Sequence, residues 1–149
     1  MTIVAGPLCP DEIVDRIRRL ADASTGVRVE RTVADLCGRM RVAALSVSQC
    51  GYNTALDIVC ARVPALVVPF ADNGDSEQTD RAGRLERLNA VRVFRGRPLT
   101  GPDLAAAIRD ALPFVPRAAA LDVGGGPATA RILTRLVAHR DVRETANAS

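Results

Sequence analysis

One stretch combines polar side chains, a glycine and a helix start in a spacing that could hold an anion: Ser48-Gln49-Cys50-Gly51-Tyr52-Asn53-Thr54-Ala55-Leu56-Asp57. The apolar run Val42-Ala43-Ala44-Leu45-Ser46-Val47 leads into it, and an apolar helical pattern from Leu56 to Ala61 leaves it. That order reads as strand, tight turn, helix, with Gly51 expected to take a backbone angle that other residues avoid. Asn53 and Thr54 then fall in the first helical turn, where backbone N–H groups lack partners and the helix dipole favours negative charge. A phosphate can dock on such a turn. Asp57 follows Asn53 by four residues and Thr54 by three, so the three share one helix face. A carboxylate one turn below a phosphate suits ribose hydroxyls. The plainer alternative is an ordinary strand–helix junction capped by Asn53, and this stretch alone leaves both readings open.

A second set of polar groups follows at once. Val63-Pro64 precedes the apolar run Ala65-Leu66-Val67-Val68-Pro69-Phe70, a buried strand ending in a loop. Asp72-Asn73-Gly74-Asp75-Ser76-Glu77-Gln78 then opens another helix. Asp72, Asp75 and Glu77 are hard-cation ligand types, but they read better as loop and cap formers, and no metal is expected. Glu77 alone would also suit a helix start through its charge. Arg81, Arg84 and Arg87 recur on successive turns of that helix and read as a solvated face. Gly124-Gly125-Gly126-Pro127 lacks the spacing of a dinucleotide-binding loop and reads as a turn before a helix. His139 reads as a surface residue.

The remaining elements position these loops. Thr2–Ala5 is a short strand ended by Gly6-Pro7. Pro10–Ala23 is an amphipathic helix with Ile13, Ile17 and Leu20 inward, and Gly26 breaks it. Val27–Glu30 is a strand, and 35–40 a short helix packing Leu36 and Met40. Ala90–Phe94 is the last strand. Thr100 caps a helix running to Leu112, with Pro102 near its start. Ala128–His139 closes the chain before a polar tail that frays. Strands alternating with helices predict a parallel α/β sheet, and both motif loops lie at strand carboxyl ends, where such sheets bind ligands.

Composition excludes other classes. The chain has 149 residues, 48% of them hydrophobic, enough for a packed domain. No apolar run reaches membrane-spanning length, which reads as a cytoplasmic protein. All 20 basic residues are arginines, the net charge is only +3, and aromatics are 3%. Nucleic-acid binding would want a basic stripe with stacking rings, so no nucleic-acid partner is expected. Cys9, Cys37, Cys50 and Cys60 form no Cys-x-x-Cys pair and there is one histidine, so reduced thiols are expected rather than a zinc site.

Taken in order, the two motif loops resemble the C-terminal, donor-binding domain of GT-B glycosyltransferases, above all the MurG-like family (glycosyltransferase family 28) and the plant secondary-product glucosyltransferases. The plant signature reads His-Cys-Gly-Trp-Asn-Ser-x-x-Glu, then Gly-Val-Pro, a Pro, and Asp-Gln. This chain has Gln49-Cys50-Gly51-Tyr52-Asn53-Thr54-Ala55-Leu56-Asp57, then Arg62-Val63-Pro64, Pro69 and Glu77-Gln78. The likeness runs from Thr2 to about Ala138.

The resemblance implies a Rossmann-like parallel sheet flanked by helices. Residues 1–140 would be a single domain equal to the C-terminal half of a GT-B fold, lacking its first strand and Gly-rich loop, and 141–149 a tail. It implies that Gln49, Gly51, Asn53 and Thr54 meet the donor diphosphate, Asp57 the ribose, Glu77 and Gln78 the sugar hydroxyls, and the Val33 backbone the nucleobase. Gln49 replaces a histidine and cannot carry charge; Asp57 replaces a glutamate and is one methylene shorter. The catalytic base is expected in an N-terminal domain, so a second domain or chain would carry the acceptor half. The implied donor is a nucleoside diphosphate sugar, UDP-linked, delivering a hexosyl group to an acceptor hydroxyl without cofactor or metal, peripheral to a membrane through a partner. The alternative is a non-catalytic nucleotide-binding or interaction module derived from such a domain. A GT-B epimerase would need acids and a histidine from a full two-domain chain.

Overall fold

The structure is a computed structural model and describes residues 1–70, 76–96, 98–117 and 124–146, the side chains of 138–146 excepted. Asp72 and Asp75 of the acidic loop, and the side chain of His139, lie outside the described residues. The backbone gathers into two compact units, Met1–Arg39 and Met40–Ser149.

In the first unit, β1 (Thr2–Val4) pairs in parallel with β2 (Arg28–Glu30), Ile3 opposite Val29. Ala5 N–H and Gly6 N–H extend the ladder to the carbonyls of Glu30 and Arg31, each at 2.9 Å. The crossover helix α1 (Asp11–Asp22) packs on β2. Gly26 takes φ +79 and turns the chain into β2. The inward face of α1 differs from the predicted one. Val14 and Ala21 are buried, whereas Ile13 is 44% and Leu20 66% exposed. Both sets sit at helical spacing, about 100° apart around the axis, and the helix seats the smaller pair. The α2 helix (Leu36–Arg41) starts on Asp35, whose Oδ1 accepts the Gly38 N–H at 2.7 Å. That is an N-cap to third-position bond. A Cβ on Gly38 would meet the same carboxylate, which would have to shift to make room.

The second unit holds a parallel sheet of order β3–β4–β5: Ser46–Ser48, Ala65–Val67 and Arg92–Val93. The apolar run before the site enters the sheet later than expected. Val42 is 85% exposed and the strand begins only at Ser46, whose N–H bonds Pro64 O at 2.8 Å. All three residues of β4 are buried, as a continuous apolar run in a central parallel strand should be. Five helices belong wholly or partly to this unit. These are α2, α3 (Tyr52–Ala61), α4 (Glu77–Arg87), α5 (Gly101–Ala111) and α6 (Gly125–Ala146). The sheet, α3, α4 and α5 bury Ile58, Val63, Leu66, Val67, Ala82, Leu85, Val91 and Phe114.

Local chemistry sets several helix ends. Arg62 closes α3 in the left-handed region at φ 54, its N–H on Ile58 O at 2.9 Å. Asn89 does the same after α4 at φ 55. Thr100 caps α5 as predicted: its Oγ1 accepts the Asp103 N–H at 3.3 Å and donates to Asp103 Oδ2 at 2.5 Å. The α6 helix is longer than predicted at both ends. Gly125, Gly126 and Pro127 form its first turn and the helix continues to Ala146. Proline needs no N–H there and glycine tolerates the geometry. The alternation of parallel strands and helices is the expected Rossmann-like α/β architecture. No helix among the described residues is long and apolar enough to cross a membrane.

Candidate functional site

β3 and β4 end side by side. Ser48 lies opposite Val67, and Val68 N–H reaches Ser48 O at 2.8 Å. The Gln49–Gly51 turn and the Val68–Phe70 segment therefore leave the sheet at one edge, the carboxyl ends where open α/β sheets take ligands.

The α3 helix starts at Tyr52 with Gly51 as N-cap. Ala55 N–H is the first to find a helical carbonyl, that of Gly51 at 2.9 Å. The N–H groups of Tyr52, Asn53 and Thr54 have no partner among the described residues, and no side chain caps the helix. Asn53 is thus the second helical residue rather than the cap. The expectation for Gly51 is also corrected. Its φ of −61 and ψ of 157 are ordinary extended values open to any residue. A Cβ at Gly51 would meet nothing within 4 Å. The position therefore has open space beside it, and backbone freedom is not what it uses.

Around this turn Asn53 and Gln49 are exposed, and Thr54 and Asp57 half-buried. None of the four side chains has a partner among the described residues. Asn53, Thr54 and Asp57 lie on one face of α3, as their spacing requires. Val33 sits half-buried in the loop between β2 and α2 of the first unit, while the other candidates all lie in the second.

The first turns of α4 meet the same peptide. Gln78 Oε1 accepts two backbone N–H groups, from Cys50 at 3.1 Å and from Phe70 at 3.2 Å. Its acceptor is therefore spent on joining the two loops. Its Nε2 has no partner among the described residues and remains the atom able to meet a ligand. Glu77 is exposed and ion-paired to Arg81 one turn on.

The predicted solvated arginine face holds for Arg84 and Arg87, which are exposed, but not for Arg81. The Arg81 side chain is only 20% exposed; its Nη1 donates to Cys50 O at 2.7 Å, and its Cζ stands 5.8 Å from the Tyr52 ring centroid. Cys50 is fully buried. Burial pushes its thiol above the ordinary range and the Arg81 charge pulls it back only in part, so it is a protonated, inert packing group. All four cysteines are free, matching the expectation of reduced thiols.

Two groups escaped the sequence reading. Arg81 was legible in principle, since it lies three and four residues after Gln78 and Glu77 and shares their face. Ser48 Oγ is buried without a partner at the end of β3, and no local pattern announces that.

The glycosyltransferase family 28 C-terminal domain matches residues 24–122, from the end of α1 past α5. Curated relatives of the chain include UDP-N-acetylglucosamine–N-acetylmuramyl-(pentapeptide) pyrophosphoryl-undecaprenol N-acetylglucosamine transferases. That of Mesorhizobium japonicum is 32% identical over 124 residues, covering 79% of this chain and 33% of the relative. That of Solibacter usitatus is 35% identical over 69 residues, 46% of this chain and 19% of the relative. That of Thiobacillus denitrificans is 30% identical over 96 residues, 64% and 26%. The chain thus spans about a fifth to a third of the length of these relatives. No solved structure matches it. The matched region holds the strand–turn–helix at Ser48–Asp57 and the Glu77–Gln78 helix start, and the chain belongs to the family of glycosyltransferase family 28 C-terminal domains.

Proposed function

We propose that this chain is the donor-binding half of a glycosyltransferase, taking a UDP-linked hexose whose sugar passes to an acceptor hydroxyl. The observation that carries the reading is the start of α3. Three N–H groups there have no partner among the described residues, the space beside Gly51 is open, and the unpartnered Asn53, Thr54 and Asp57 share one face of the same helix. In this reading the amides of Tyr52, Asn53 and Thr54, with the Asn53 and Thr54 side chains and Gln49, hold the diphosphate. As the glycosidic bond breaks, charge develops on that diphosphate, and fixed dipoles aimed at it lower the barrier. Asp57 accepts ribose hydroxyls. Gln78 donates from Nε2 to a sugar hydroxyl and Glu77 accepts from another. No metal or cofactor takes part, and the base that activates the acceptor comes from another domain or chain. The relatives named for transfer from UDP-N-acetylglucosamine support a UDP sugar as the first donor to try.

A second reading, a non-catalytic nucleotide-binding or interaction module, draws on one observation: the Gln78 acceptor is wholly engaged in joining two loops. Calorimetric titration with UDP, dTDP and GDP separates a working nucleotide site from an interaction module, and transfer assayed with the acceptor half present separates a catalytic from a non-catalytic nucleotide site. Saturable binding of UDP is expected. It should weaken about tenfold in Asn53→Ala and in Asp57→Ala, the loss of one ligand hydrogen bond each. Neither variant should lower the melting temperature, since neither side chain has a partner in the described protein. A folded chain that binds none of the three nucleotides leaves the module reading in place.

A further inference from the structure

Resting on the reading of the α3 turn as an anion site, the geometry points to Arg81 as the positioning residue that keeps this turn in its binding conformation. The argument begins with the peptide between Cys50 and Gly51. Its carbonyl is held by Arg81 Nη1 at 2.7 Å. A trans peptide points its C=O and N–H in opposite directions, so holding the carbonyl on the α4 side aims the Gly51 N–H away from α4. That N–H has no partner among the described residues. The peptide before it is held as well, through Cys50 N–H on Gln78 Oε1 at 3.1 Å. Both hydrogen bonds come from one face of α4.

The clamp matters because of the residue it abuts. Gly51 has no side chain to hold it and no neighbour within 4 Å of where a Cβ would stand. Glycine populates positive and negative φ about equally, so left alone the Cys50–Gly51 peptide is free to flip. A flipped peptide would exchange the N–H for a carbonyl and set a negative dipole beside the anion. Arg81 opposes the flip with a charge-assisted bond, about twice as strong as a neutral one. Its guanidinium is itself fixed by the pair with Glu77 and by the Tyr52 ring. One side chain thereby links the carboxylate proposed for the sugar to the turn proposed for the diphosphate. A lysine has the charge but not the planar fork that serves two acceptors at once.

The test uses the full chain as wild type, Arg81→Met, Arg81→Lys and the exposed neighbour Arg84→Gln. Two quantities are read. Backbone chemical shifts of Gly51 in the ligand-free chain report the conformation of the turn, and titration with UDP reports affinity. Wild type and Arg84→Gln should show one extended Gly51 conformer. Arg81→Met should show a second conformer and bind UDP about tenfold more weakly, the loss of one charge-assisted bond. Arg81→Lys should recover little of that affinity. Unchanged Gly51 shifts in Arg81→Met overturn the inference. So does an Arg81→Lys chain that binds UDP like wild type while Gly51 remains in two conformers, because charge alone would then suffice. If Arg81→Met does not fold, the same two readings on Arg81→Lys decide. A wild type that takes up no UDP refutes the proposed function, while the Gly51 shifts still decide the role of Arg81.

Discussion

In the proposed reading Gln78 has two roles, an observed one for Oε1 and a ligand-binding one for Nε2, and substitution can separate them. Gln78→Leu keeps the shape and removes the acceptor. Cys50 is fully buried, so its N–H is left without a partner or access to water. An unsatisfied buried donor costs about 1–3 kcal/mol. Phe70 is 54% exposed and its N–H can turn to water, so that bond adds only a few tenths. The sum is about 2 kcal/mol, or about 4–8 °C in melting temperature for a chain of this size. Gln78→Glu keeps an acceptor for both N–H groups and loses the Nε2 donor. It should melt near the wild type and bind UDP normally, while its affinity for UDP-N-acetylglucosamine falls to that for UDP. Thermal melting and calorimetric titration with the two ligands read both effects. The reasoning fails if Gln78→Leu melts with the wild type, for then the bonds to Cys50 and Phe70 contribute nothing. It fails equally if Gln78→Glu weakens UDP and the UDP sugar to the same extent.

Two further outcomes follow from the scaffold around the site. Glu86 accepts from Val93 N–H at 3.3 Å and from both terminal nitrogens of Arg95, tying α4 to the end of β5. The Arg95 hydrogen bond holds its carboxyl below the usual range. A carboxyl depressed in the folded state stabilises above its unfolded pKa, and that contribution is lost as pH falls through the folded value. Chemical denaturation as a function of pH should therefore show stability declining on the acid side, and Glu86→Gln should flatten that decline. The loss at neutral pH should be no more than about 1 kcal/mol, because Arg95 is largely exposed and screened. Arg62 occupies the left-handed region at φ 54, where a side chain is strained and glycine is not. Arg62→Gly should raise the denaturation midpoint, through a gain in stability of about 0.5–1 kcal/mol after the entropy that glycine adds to the unfolded chain. A lower midpoint would show that the Arg62 side chain makes a contribution larger than its backbone strain.

Much of this protein follows from residues close together in the chain. The Thr100 cap with Asp103 three residues on, the proline in the first turn of α5, and the unbroken apolar run of β4 act over a few residues. The cap and the proline act whatever packs against them, and an unbroken apolar run of that length marks a strand covered on both faces. The same holds for placing Asn53, Thr54 and Asp57 on one face, since the helical period alone does that. The family motif was legible for this reason, being two local strand–turn–helix junctions in order. Other features were settled only when distant segments met. On α1, Val14 and Ala21 compete with Ile13 and Leu20 as the inward stripe, and only the shape of the sheet beneath chooses between them. Val42–Ala44 has the composition of a strand, but a strand needs a partner, and the pairing with β4 begins at Ser46. Arg81 has the sequence surroundings of a solvated arginine. What removes it from solvent is the Cys50 carbonyl, thirty-one residues earlier in the chain. A lone buried peptide oxygen is a strong acceptor with no sequence signature, so its partner can be found only from the packing of α4 against the turn.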